Sequence, residues 1–124
     1  MDWKIGYVIV GVKDLERAIE FYRDVIGFEF VHAAPEFHFA EFKVGDRRFS
    51  LAGGGGGGGD GTHKVGGNTG IGFVVADVDA AYEKLTANGV EFTMKPEKMP
   101  WGGYMGMFAD PDGNVFYLDQ VHGQ

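Results

Sequence analysis

The sequence predicts an α+β protein built from two tandem β-α-β-β-β modules that form a curved sheet around a concave cavity. Three observations predict it. The two halves of the 124-residue chain echo each other. A run of seven glycines, Gly53 to Gly59, lies between the halves. Within each half, apolar residues first alternate and then recur at helical spacing, the patterns of a half-buried strand and an amphipathic helix.

The echo is direct. Val12-Lys13-Asp14-Leu15-Glu16-Arg17-Ala18-Ile19-Glu20 in the first half corresponds to Val75-Ala76-Asp77-Val78-Asp79-Ala80-Ala81-Tyr82-Glu83 in the second, at an offset of 63 residues. Gly27-Phe28-Glu29-Phe30 is likewise matched by Gly89-Val90-Glu91-Phe92. A chain of this length forms one domain, and internal repetition of this kind marks it as duplicated.

Each module opens on a strand. Ile5 to Val12 sets Val8, Val10 and Val12 on one face, and Ile71, Phe73 and Val75 do the same in the second module. A helix follows each strand. Asp14 caps the first, whose stripe is Leu15, Ala18, Ile19, Tyr22 and Ile26. Asp77 or Asp79 caps the second, with Val78, Ala81, Tyr82 and Leu85. Gly27 and Gly89 stand where a left-handed residue ends a helix. Three short strands then complete each module, near Glu29–His32, Phe37–Val44 and Arg47–Leu51 in the first and near Glu91–Thr93, Gly103–Phe108 and Val115–Gln120 in the second. Asp110-Pro111-Asp112-Gly113-Asn114 reads as a turn. The expected division is one domain, 1–124, with module one at 1–52, a glycine-rich linker at 53–68 and module two at 69–124. The linker has long reach and little stiffness, and is expected to be poorly ordered and without a catalytic part.

Composition narrows the function. The chain has no cysteine, which removes disulfides, thiolate metal sites and cysteine nucleophiles. The formal charge of −7 leaves no basic footprint for nucleic acid and no attraction to anionic membranes. It favours solubility and weakly steers cations. No apolar run is long enough to span a bilayer, and residues 1–12 carry no cleavable apolar core, so a cytoplasmic location is expected. Nucleophile-elbow, phosphate-loop and zinc-protease motifs are absent.

Val12-Lys13-Asp14-Leu15-Glu16-Arg17-Ala18-Ile19-Glu20-Phe21-Tyr22 with Ile26-Gly27-Phe28 resembles the first helix of the vicinal oxygen chelate superfamily. Pro100-Trp101-Gly102-Gly103 and Phe108-Ala109-Asp110-Pro111-Asp112-Gly113-Asn114 resemble its C-terminal signature. The superfamily includes glyoxalase I, extradiol dioxygenases and the fosfomycin- and bleomycin-resistance proteins. The resemblance implies a homodimer and a cavity in which His, Glu or Gln from four strands hold a divalent metal. Carried onto this chain, those positions are Tyr7, Ser50, Gly70 and Tyr117. None is a usual metal ligand, so the expectation is no metal and no cofactor.

What the resemblance then implies is a metal-independent protein similar to the bleomycin-type sequestering proteins, holding an aromatic or cationic small molecule. Tyr7, Ser50, Tyr117 and Asp119 are the expected cavity contacts. Trp101 and Tyr104, beside Gly102-Gly103, are expected to stack on a flat ligand. His38 and Glu41 are candidates for ligand contact or acid–base work, but they take opposite faces of a regular strand. The alternative is a superfamily enzyme, such as a glyoxalase-like lyase or isomerase, using His38, Tyr7, Tyr117 or Glu41.

Overall fold

The computed structural model describes residues 1–53 and 63–120. The chain has the tandem β-α-β-β-β fold, and it divides into two compact units, Met1–Gly66 and Gly67–Gln124. Most of the glycine run and His122 lie outside the described residues.

The first unit runs β1 (Tyr7–Gly11), α1 (Leu15–Glu20), β2 (Glu29–Ala34), β3 (Phe39–Val44) and β4 (Arg47–Ala52). Its four strands form one mixed sheet in the order β1-β4-β3-β2, with β1 and β4 parallel. Asp14 caps α1 as expected, its carboxylate accepting from the Arg17 amide at 3.1 Å. Beyond Glu20 the helix widens into π turns over Phe21–Ile26. It stops at Gly27, whose φ of 96° is left-handed; the Gly27 and Phe28 amides both donate to the Tyr22 carbonyl. Tyr22 is fully buried and anchors the helix to the sheet through the rings of Phe28, Phe42 and Phe49.

The second unit runs β5 (Gly67–Val75), α2 (Val78–Ala87), β6 (Glu91–Lys98), β7 (Tyr104–Ala109) and β8 (Asn114–Gln120). Its sheet order, β5-β8-β7-β6, repeats that of the first. Asp77, not Asp79, is the cap, accepting from the Ala80 amide at 3.1 Å. Phe73, Phe92, Phe108 and Phe116 pack under α2, where Tyr82 meets Phe92. The turn before β8 is knitted by Asp110. Its carboxylate accepts from the amides of Asp112 and Asn114 and from the Asn114 side chain, all within 2.9 Å.

Several strand boundaries differ from the sequence reading, three of them for a local reason. Pro35–Phe37 forms a 3-10 turn closed by His38 in the left-handed region, so β3 starts at Phe39 rather than Phe37. β5 begins at Gly67, which makes Asn68 strand rather than linker. β6 runs on to Lys98, past bulges and past Pro96, which an edge strand tolerates. Gly53, the first of the seven glycines, meets Leu15 so closely that a Cβ would lie 2.9 Å from the leucine Cβ. No helix among the described residues is long and apolar enough to cross a membrane.

Candidate functional site

In each unit the helix covers one face of the sheet. The other face carries the candidate residues, because side chains alternate along a strand and directly paired residues share a face.

On the first unit's open face, one row runs Ile9, Ser50, Glu41 and His32, and the next runs Tyr7, Arg48, Lys43 and Glu29. Ser50 is buried, whereas Tyr7 is 63% exposed. Glu41 is the electrostatic centre. One carboxylate oxygen lies 3.4 Å from Nδ1 of His32 and the other 3.4 Å from Nε of Arg48. A bulge at Val31 makes this possible. Phe30 pairs with Phe42 on the helix side, and the extra residue brings His32 round to Glu41 on the open side. His32 and Arg48 were not among the residues expected from sequence. Alternation from Ser50 reaches Arg48, but the bulge that moves His32 has no marker in the sequence.

On the second unit's open face, Gly72, Tyr117 and Met107 form one row, and Val74, Asp119 and Met105 the next. The Tyr117 hydroxyl accepts from Nδ2 of Asn68 at 2.9 Å. The Asn68 carbonyl oxygen in turn accepts from the Gly70 amide at 2.8 Å. Gly70 sits in a bulge with φ of 75°, so the residue opposite Tyr117 is Gly72. The pairing repeats between units all the same: Ile9–Ser50 and Gly72–Tyr117 are equivalent pairs.

The remaining candidates lie elsewhere. Tyr104 is on the helix side of β7, where its hydroxyl donates to Asp79 of α2 at 2.5 Å. That bond stabilises the protonated phenol and raises its pKa above 10.0. Trp101 is 74% exposed in the turn between β6 and β7. His38 lines an open depression of about 400 Å³ with Lys13, Asp14, Leu15, Glu16, Ile19 and Pro35. It is not on the strand that carries Glu41, so the 3-10 turn, and not strand parity, separates the two.

The four positions that the resemblance reserves for metal ligands do not suit a divalent metal. Gly70 has no side chain, Ser50 offers a neutral hydroxyl, and the Tyr117 phenol is hydrogen-bonded to Asn68. Among the described residues, no group of three or more His, Asp or Glu side chains is arranged to hold one.

Paired β-α-β-β-β modules with equivalent strand registers define a fold class that hosts both enzymes and binding proteins. The chain belongs to the Glyoxalase/Bleomycin resistance protein/Dioxygenase superfamily, whose model matches residues 4–118. It is 33% identical over 120 residues to the uncharacterized protein YetH of Bacillus subtilis, an alignment covering 94% of this chain and 98% of that one. A superfamily member from Sphaerobacter thermophilus has a similar structure, with a TM-score of 0.80 and 35% identity, covering 97% of this chain and 98% of that one. TnmS3, an antibiotic binding protein from Streptomyces sp. CB03234, superposes with a TM-score of 0.76 at 28% identity, covering 98% of each chain.

Proposed function

We propose that this protein binds an aromatic small molecule without a metal, in the manner of the sequestering members of its superfamily. The observation that carries the reading is the placement of Tyr7, Ser50 and Tyr117, positions that the resemblance reserves for metal ligands, on sheet faces that also carry methionines and a carboxylate. Rings and thioethers offer adaptable apolar contact, and hydroxyls at their edges orient a ligand. The likeness to an antibiotic binding protein supports the same reading. In this proposal the residues for ligand contact are Tyr7 and Ser50 in the first unit and Tyr117, Asp119 and Trp101 in the second, and the protein is a cytoplasmic homodimer. Residues 1–124 act as one domain, joined by the glycine-rich linker. Tyr104 and His38 are left out, since each is engaged on the helix side of its unit.

The test is a fluorescence and NMR titration against aromatic antibiotics and metabolites. At least one compound is expected to bind saturably and to shift Tyr117, with Tyr117→Ala weakening it. If the whole panel fails to bind, the reading is lost. Elemental analysis of protein purified without chelator is expected to find no stoichiometric nickel, zinc or manganese. A full equivalent overturns the metal-independent part.

An acid–base enzyme of the same superfamily is the second reading. It is favoured by Glu41, which is held between an imidazole and a guanidinium.

A further inference from the structure

We infer that the open face of the first unit selects an anion: a small molecule with a flat ring and a carboxylate, the carboxylate held by Arg48 and Lys43. The inference rests on the binding reading above and adds the ligand's charge, which that reading leaves open.

The register carries it. Arg48 of β4 stands directly opposite Lys43 of β3 in an antiparallel pair. Like charges directly opposite destabilise a sheet. Glu29 is the other neighbour of Lys43. Arg48 meets Glu41 only through Nε, and it shares that carboxylate with His32. A guanidinium has five N–H donors in a fixed fork. Among the described residues its terminal nitrogens meet no other carboxylate and are left to a further acceptor, on a side chain that is 48% exposed. A carboxylate placed between Arg48 and Lys43 would take the fork and relieve the repulsion at once.

The same row supplies a surface for the ring. Tyr7 is the parallel-strand neighbour of Arg48 and is 63% exposed. A planar ligand lying on Tyr7 keeps its carboxylate within reach of the fork, and aromatic stacking adds to the charge contact. The formal charge of −7 disfavours non-specific anion binding, so a specific anion has to be held by local cations such as this pair.

The test is an NMR titration of the full-length protein with 2-naphthoate, and in parallel with 2-naphthylmethylammonium. Naphthoate is expected to shift Arg48, Lys43 and Tyr7 saturably. Arg48→Gln is expected to weaken it about tenfold or more, the scale of one charged hydrogen bond. Arg48→Lys, which keeps the charge but loses the fork, should fall between. Glu41→Gln, which frees the fork, should tighten binding severalfold. Retained spectral dispersion in each variant separates lost binding from lost folding, and Lys43→Gln gives an independent loss if Arg48→Gln unfolds. Naphthoate that does not bind, or binds equally to Arg48→Gln and Lys43→Gln, overturns the inference. If it fails while the ammonium probe or an antibiotic still binds, the anion assignment falls and the binding function stands. If every probe fails, both fall.

Discussion

The two modules agree on the side that faces a helix and part company on the side that does not. On the helix side both have an Asp cap, a left-handed glycine stop and a cluster of phenylalanines under one tyrosine. On the open side the first unit carries His32 beside the charged side chains Glu41, Arg48 and Lys43. The second carries Met105, Met107, Tyr117 and Asp119. The difference shows where the repeat is constrained. A helix must bury its apolar stripe whichever module it belongs to, whereas the face without a helix is under no such demand.

The agreement is sharpest at the helix anchors, and it can be broken there. Tyr22 is completely buried, while Tyr82 is only partly so. Tyr22→Ala is expected to cost about 3–5 kcal/mol in denaturant unfolding, as for other large aromatic truncations, and Tyr82→Ala clearly less. Equal losses would mean that the anchors are equivalent after all.

The turns before the last strands are a second contrast. In the first unit Gly45 and Asp46 make a short turn with an exposed Asp46, which pairs with its neighbour Arg47. In the second, Asp110 and Asn114 are buried and bonded to each other. Asp110→Ala removes the buried acceptor of the Asp112 and Asn114 amides and is expected to cost about 1–3 kcal/mol. Asp46→Ala should be close to neutral in the same assay, as exposed ion pairs are.

The smallest effect concerns pH. The Asp79 bond raises the Tyr104 pKa above 10.0, so the phenol is protonated more tightly in the folded state than in the unfolded chain. The stability from this bond is full below pH 10 and is lost as pH rises through the folded value. In an absorbance titration Tyr104 should ionise later than a free tyrosine, and Tyr104→Phe should remove that late step along with the alkaline loss. Variants on the open face of the first unit should leave the step unchanged.

Much of this architecture was legible in the sequence. The 63-residue echo announced two modules, Asp14 and Asp77 marked helix starts, and Gly27 and Gly89 marked helix ends. These signals are local: a cap or a left-handed stop depends on a few neighbouring residues and survives whatever the rest of the chain does. The candidate site was read less fully. Tyr7, Ser50, Tyr117 and Asp119 lie on the open faces, but Tyr104 and His38 do not.

What tertiary structure alone decided is which side chains meet. A strand has a period of two, so one extra residue sends every later side chain to the opposite face. The bulge at Val31 brings His32 to Glu41, whereas the two extra residues between Asn68 and Gly72 keep the face and set Gly72 rather than Gly70 beside Tyr117. The bulge at Val31 does not follow from residue type, whereas the left-handed Gly70 marks the one in β5. The sequence by itself determined a duplicated fold and the identity of the residues on its strands. The pairing of strands decided that one open face would hold a cluster of charges and the other methionines and a tyrosine.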